Sequence, residues 1–174
     1  MHDRLANLLG AAGLAVVDLA RTAIDEAGGK NPSWSAALIT LAREPGIGAT
    51  DLARHITLTQ PGASRLVDGL VSAGLIERVA RSGRSVALRL TAEGQSEVRR
   101  LLDARRDALD SLVASLTAVE RSALERILET ILDRAYDHAR SGSVLCRLCD
   151  HTACVGRGET CPVTHAAQER GVHA

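Results

Sequence analysis

Apolar positions at the start of the chain recur at helical spacing. Leu5, Leu8, Leu9, Ala12, Val16, Leu19, Ala20, Ala23 and Ile24 share one stripe between Asp3 and Ala27. Gly28-Gly29 ends that stretch, as glycine does at helix C-termini. Asn31-Pro32-Ser33 opens a second helix bearing Trp34, Leu38 and Leu41, and Pro45-Gly46 closes it. The lone Trp reads most simply as a core anchor.

From Ile47 to Thr91 the period shortens. Residues 50–56 form a two-turn helix with Leu52, Ala53 and Ile56 inward, and Thr57-Leu58 is a short link. Thr59 caps a helix running through Ala73, with Pro61 tolerated in its first turn and Leu66, Val67, Leu70 and Val71 on its buried face. Residues 75–79 and 85–90 read as two short strands joined by the polar stretch 80–84.

Two long helices follow. Thr91 caps one bearing Val98, Leu101, Leu102, Leu109, Leu112, Val113 and Leu116. Thr117-Ala118-Val119-Glu120 is a capping box for a helix bearing Leu124, Ile127, Leu128, Ile131, Leu132, Ala135 and Tyr136. These helices and the first hold more apolar face than a small domain covers, which predicts a helix-mediated homodimer. The expected architecture is mainly α with a small β-wing. A dimerisation helix spans 1–30, a winged helix-turn-helix 31–91, long dimerisation helices 92–140 and a cysteine-rich tail 141–174.

Composition narrows the choices. The chain has no Phe and only 1% aromatic residues, so its core is aliphatic. No Gly-rich phosphate loop, H-E-x-x-H or nucleophile elbow is present, which argues against an enzyme. No uninterrupted apolar run of membrane-spanning length stands out, because Asp18, Arg21, Asp25 and Glu26 break the first helix. A cytoplasmic location is expected, and there clustered cysteines serve as ligands or redox sensors more often than as structural disulfides.

Net charge is zero, so any nucleic-acid argument rests on local charge. Between Ile47 and Leu90 stand Arg54, Arg65, Arg78, Arg81, Arg84 and Arg89 against Asp51, Asp68 and Glu77. A helix, a tight turn, a second helix and a basic-tipped wing make a DNA reader: the second helix fits the major groove and the wing reaches the flanking backbone. Thr59, Gln60, Ser64 and Arg65 lie at the exposed start of that second helix, and Arg78, Arg81 and Arg84 lie on the wing. Gln bonds adenine in two places, Arg does so with guanine, and hydroxyls suit phosphates.

Over about Asp3–Ala139 the chain resembles the MarR family of bacterial transcription regulators. The likeness is densest in Gln60-Pro61-Gly62-Ala63-Ser64-Arg65-Leu66-Val67-Asp68-Gly69-Leu70, in Gly74-Leu75-Ile76-Glu77-Arg78 and in Leu88-Arg89-Leu90-Thr91-Ala92-Glu93-Gly94. The resemblance implies an obligate homodimer on a pseudo-palindromic double-stranded DNA operator, usually repressing transcription until a signal loosens it. At the wing tip Ser82-Gly83-Arg84 stands where the family carries an Asp-Arg-Arg-like sequence, so only the second Arg is retained and Arg81 is the compensating candidate.

All four cysteines, Cys146, Cys149, Cys154 and Cys161, fall in the tail as C-x2-C-x4-C-x6-C, in an expected loop bent at Gly156 and Gly158. Three chemistries fit. An iron–sulfur cluster, 2Fe–2S or 4Fe–4S, takes four thiolates, and Cys161-Pro162 matches the Cys-Pro ending of ferredoxin runs. In placement only, the tail is similar to SoxR-type regulators, whose cysteine loop follows a dimerisation helix. Zinc is the alternative, with His151 or His165 able to replace a Cys. A metal-free thiol switch is the third, favoured where Arg147 or Arg157 gives a Cys thiolate character. A centre just after the last dimer helix can transmit oxidation, nitric oxide or iron loss to the spacing of two reading helices.

Overall fold

The computed structural model describes residues 2–29, 31–81, 86–139, 142–156 and 158–171. The chain begins with α1 (His2–Glu26) and α2 (Pro32–Arg43), and the Asn31 side chain caps the latter by accepting from the Trp34 N–H at 2.9 Å. Next come α3 (Ala49–His55) and α4 (Gln60–Ser72), where Thr59 accepts from the Gly62 N–H. In the turn between them Thr57 takes φ 57°, a conformation that β-branched residues rarely adopt.

Strands β1 (Ile76–Ala80) and β2 (Val86–Leu90) pair antiparallel, with Ile76 opposite Leu90 and Arg78 opposite Leu88. The Leu88 N–H donates to the Ile47 carbonyl and the Gly46 N–H to the Leu88 carbonyl, both at 3.0 Å, which covers the other edge of β2. The expected winged helix-turn-helix is therefore present. Of its wing tip, Ser82, Gly83 and Arg84 lie outside the described residues.

Its core is aliphatic, as an absence of Phe demands. Leu38, Ile39 and Leu41 of α2, Leu52 of α3, Leu66, Val67 and Leu70 of α4, Ile76 of β1 and Leu88 of β2 form one buried cluster. Trp34 packs at its edge against α4, where a Cβ on Gly69 would come within 2.9 Å of the indole.

The helix α5 (Ala92–Val113) is capped by Thr91, and α6 (Ala118–Tyr136) by the expected capping box of Thr117 and Glu120. The reader meets α5 at a very close approach. The Leu75 carbonyl accepts from the Thr91 N–H at 3.1 Å and lies where only a glycine fits, since a Cβ on Gly94 would stand 2.0 Å from it.

Much of the long-helix surface is uncovered. Leu5, Leu8, Leu9, Leu14, Val16 and Val17 of α1 are exposed, as are Leu112 of α5 and Val119, Ile127, Leu128 and Leu132 of α6. No described residue of α6 is buried. By length and composition α1 could cross a membrane, contrary to the reading of its interrupted apolar run. It packs along α5, however, and its exposed apolar residues add to those left uncovered on α5 and α6.

The tail differs from the expected loop. It folds into α7 (Gly142–Leu145), α8 (His151–Val155) and α9 (Pro162–Glu169). Asp150 caps α8, Pro162 starts α9, and Val163, Ala166 and Ala167 give α9 a buried face against α6. These local signals are short and lie outside any long period, so the sequence pattern conceals them.

Replacing Gly94 by Ala is expected to lower stability by about 1–3 kcal/mol, because the added methyl must displace backbone. A urea midpoint within error of the parent protein would reject this account of the contact.

Candidate nucleic-acid interface and cysteine centre

The first turn of α4 is preorganised by neutral hydrogen bonds. Thr59 Oγ1 accepts from the Gly62 N–H at 3.3 Å, and Gln60 Nε2 donates to Thr50 Oγ1 of α3 at 2.9 Å. Thr59, Gln60, Ser64 and Arg65 are all exposed, so the expected reading residues share one open surface. Arg65 Nε reaches back to the Pro61 carbonyl at 3.4 Å, and the residue is exposed.

The wing arginines divide. Arg78 Nη2 binds Asp68 Oδ1 at 2.5 Å, tying β1 to α4, and this ion pair is exposed on both sides. Arg81 is exposed beside Gly46. Arg84 lies outside the described residues. On α3, Arg54 is paired with Asp51.

The cysteines approach one another from three segments, with no three of their sulfurs within 4.8 Å of one another. Cys146 ends α7, Cys149 precedes α8, Cys154 is on α8 and Cys161 caps α9. Cys149 Sγ and Cys154 Sγ are 3.7 Å apart, Cys154 and Cys161 both lie close enough to Cys146 to act on it electrostatically, and Cys161 is buried. The Cys146 carbonyl accepts from the Cys149 N–H at 3.0 Å, closing the C-x2-C turn.

Thiol acidities within the group are uneven. Cys149 donates a hydrogen bond to Cys146 and so holds the Cys146 thiol below its ordinary value, helped by the nearby charge of Arg43. The same bond, with desolvation, pushes Cys149 up, while Arg105 pulls it down. Cys154 is pushed up to about 12 by desolvation and by Cys149. The cations beside the thiols are thus Arg43 and Arg105. Arg147 instead donates to the Val144 carbonyl at 2.6 Å, and Arg157 lies outside the described residues.

Neither histidine joins the thiols as a described ligand. His151 is exposed at the start of α8. His165 Nδ1 lies 3.6 Å from Glu169 Oε2, and with Asp133 these groups form the one set of three potential metal-ligand side chains within 4.8 Å of one another among the described residues.

Two anchors of the tail escaped sequence reasoning. Arg170 Nε binds Asp137 at 2.5 Å and Nη1 binds Asp133 at 3.2 Å, with its guanidinium 5.6 Å from the Tyr136 ring centre, so it clamps the end of α9 to α6. Arg43 Nη1 donates to the Cys146 carbonyl at 3.0 Å, and Leu148 packs on the reader's core. A helix-ending Arg and a tail Arg look like ordinary solvated residues in sequence. Only the fold brings their partners to them.

A winged helix-turn-helix with an open reading helix defines a DNA-binding protein. The MarR family pattern matches residues 29–85. HTH-type transcriptional repressor Rv2887 of Mycobacterium tuberculosis is 33% identical over 93 residues, covering 52% of this chain and 67% of the relative. Transcriptional repressor MprA of Escherichia coli K12 is 30% identical over 124 residues, covering 69% of this chain and 70% of the relative. The crystal structure of the Rv2887 MarR family protein in complex with DNA aligns with TM-score 0.59 and 28% identity over 73% of this chain and 96% of that one. The chain belongs to the MarR family, a family of transcriptional regulators and not of enzymes.

Arg170 holds the Asp137 carboxyl below its ordinary 3.8, chiefly through their hydrogen bond. Because the folded value is the lower one, the clamp is fully present above 3.8 and is lost as pH falls through the depressed value. Amide protection over 162–169, taken relative to the intrinsic exchange rate at each pH, is expected to fall on such acidification, and to fall at neutral pH in Arg170→Ala. Equal protection in that variant and the parent would remove the clamp.

Proposed function

We propose that this protein is a homodimeric transcriptional repressor of a pseudo-palindromic operator, and that a centre ligated by Cys146, Cys149, Cys154 and Cys161 sets its operator affinity. Relatives named as repressors, one of them crystallised with DNA, support the first half. The uncovered apolar faces of α1, α5 and α6 support the homodimer. Thr59, Gln60, Ser64 and Arg65 would read base edges and phosphates in the major groove, with Arg78, Arg81 and Arg84 on the wing side. Cytoplasmic residence follows from that role.

The observation that carries the second half is the approach of the cysteines from three segments where the tail meets α6 and α2. An iron–sulfur cluster is the first reading. The Cys149–Cys154 separation of 3.7 Å favours a pair of thiolates on one metal atom. Two sulfurs ~2.3 Å from a tetrahedral ion stand ~3.8 Å apart. A 2Fe–2S cluster held by two thiolates per iron fits that edge, and so does zinc, the second reading. A cluster would sense redox state, nitric oxide or iron supply. Zinc would be structural or sensory. A metal-free thiol switch is the remaining alternative, and the lowered Cys146 thiol beside Cys149 is the observation that favours it.

Anaerobic purification with iron, zinc and sulfide analysis, followed by operator binding of loaded and stripped protein, tests this. We expect bound metal, and operator affinity that changes with its loss or with oxidation. Metal-free protein whose operator affinity ignores oxidants, matched by Cys146→Ser and Cys154→Ser variants, would reject the sensing role.

Arg65→Ala is expected to weaken operator binding by about 1–3 kcal/mol, or roughly 5- to 150-fold, with thermal stability unchanged. Binding equal to the parent at matched salt would remove Arg65 from the interface.

A further inference from the structure

The cysteine centre lies far from the reading helix in sequence, yet the structure connects them through polar groups in sequence of contact. The Cys146 carbonyl closes the C-x2-C turn and also accepts from Arg43 Nη1 at 3.0 Å. One residue therefore offers its thiol to the centre and its carbonyl to the reader. The Arg43 side chain is only 12% exposed, and its Nε and Nη2 both bind Glu44 Oε1, at 3.0 and 2.7 Å.

Glu44 continues the series. Its other oxygen, Oε2, lies 3.4 Å from Nδ1 of His55, the last residue of α3. That side chain is 17% exposed, and Nδ1 is buried with no hydrogen bond of good geometry. At the opposite end of the short α3, Thr50 accepts from Gln60 of α4 at 2.9 Å. The series runs by contacts from Cys146 through Arg43 and Glu44 to His55, along α3 to Thr50, and by a further hydrogen bond to Gln60.

We propose that Arg43 and Glu44 are the positioning pair that transmits the state of the cysteine centre to the helix-turn-helix. This rests on the reading of that centre as a regulator of operator affinity. A ligand on Cys146 and Cys149 fixes the turn between them, and with it the direction of the Cys146 carbonyl. Arg43 is a planar fork with three nitrogens already committed, so a tilted carbonyl must be followed by the guanidinium or lose its bond. Glu44 shares that guanidinium and faces His55, so α3 registers the change. On this side a cavity of about 490 Å³ lies between Asp150 and Thr152 of the tail and Pro45, Arg89 and Leu102.

Arg170 serves the complementary purpose. It fastens α9 to α6, so the tail moves relative to a fixed point on the long helix. Coupling is reciprocal in free energy: operator DNA must alter metal affinity by the factor by which metal alters operator affinity.

The test uses the full-length protein in three forms: reduced and metal-free, loaded with Zn²⁺, and reconstituted anaerobically with iron and sulfide. Operator affinity and metal stoichiometry are measured for the parent, Arg43→Gln, Arg43→Lys and Glu44→Gln. Where loading changes the parent's affinity by about tenfold, Arg43→Gln and Glu44→Gln are expected to bind metal at full stoichiometry while the ratio between forms collapses to about twofold. Arg43→Lys, which keeps charge and one donor, restores part of the ratio. Amide exchange over 49–55 should respond to loading in the parent and not in Arg43→Gln.

If Arg43→Gln and Glu44→Gln keep the parent's ratio, the coupling route is wrong and the sensing centre stands. If no form of the parent differs in operator affinity, the sensing reading itself falls and takes the route with it. Should Arg43→Gln lose metal, the exchange response over 49–55 decides through Glu44→Gln, which touches neither a thiol nor the Cys146 carbonyl.

Discussion

The exposed apolar faces of α1, α5 and α6 are the constraint on which the rest depends. Leu5, Leu8, Leu9, Val16, Ile127, Leu128 and Leu132 stand in water in one copy of the chain, while the reader's own core is closed. Single apolar side chains are normal on a surface, but so many on long helices that the reader's core leaves uncovered are costly in water, and association removes that cost. Once these helices are the fixed part, the reader's position is set by its junction with them. That junction is the contact of Leu75 and Thr91 over Gly94, where no other residue fits. A rigid hinge point there lets small shifts at α5 and α6 appear as displacement of α4.

Much of the reader was legible because its signals are local. Thr59, Thr91 and Thr117 cap the helices they precede, and in each case the side chain accepts from an N–H three residues on. The strands and the buried face of α4 follow from short-period patterning that the aliphatic core confirms. Arg78, expected on the wing as a DNA-binding residue, also pairs with Asp68, an exposed side chain on another element. No spacing rule connects the two.

The tail was legible in composition and not in structure. Four clustered cysteines announce a centre, but short helices of four, five and eight residues are too brief for periodicity to mark. Its anchors depend on contacts between residues 103 apart, for Arg43 and Cys146, and 33 apart, for Asp137 and Arg170. Arginines at such separations have the same local appearance as the surface residues Arg100 and Arg106, which pair with Glu97 and Asp103 on their own helix. What distinguishes them is topology: the turn after α6 returns the chain over α2, so an Arg ending α2 meets a carbonyl of the tail.

Net charge decides how much weight the alignment of the reader carries. A strongly basic protein clings to DNA through its overall field, and small changes of shape alter that affinity little. This chain is neutral as a whole, so its hold on an operator must come from a few local contacts made by both readers at once. Half-sites about 34 Å apart on one face of the duplex demand that the two α4 helices be placed together, and misplacing one forfeits contacts worth about 1–3 kcal/mol each. The cysteine tail touches α6 at one side and α2 at the other, and so bridges the long helices and the reader. Neutrality makes alignment decisive, and the tail is attached where alignment is set.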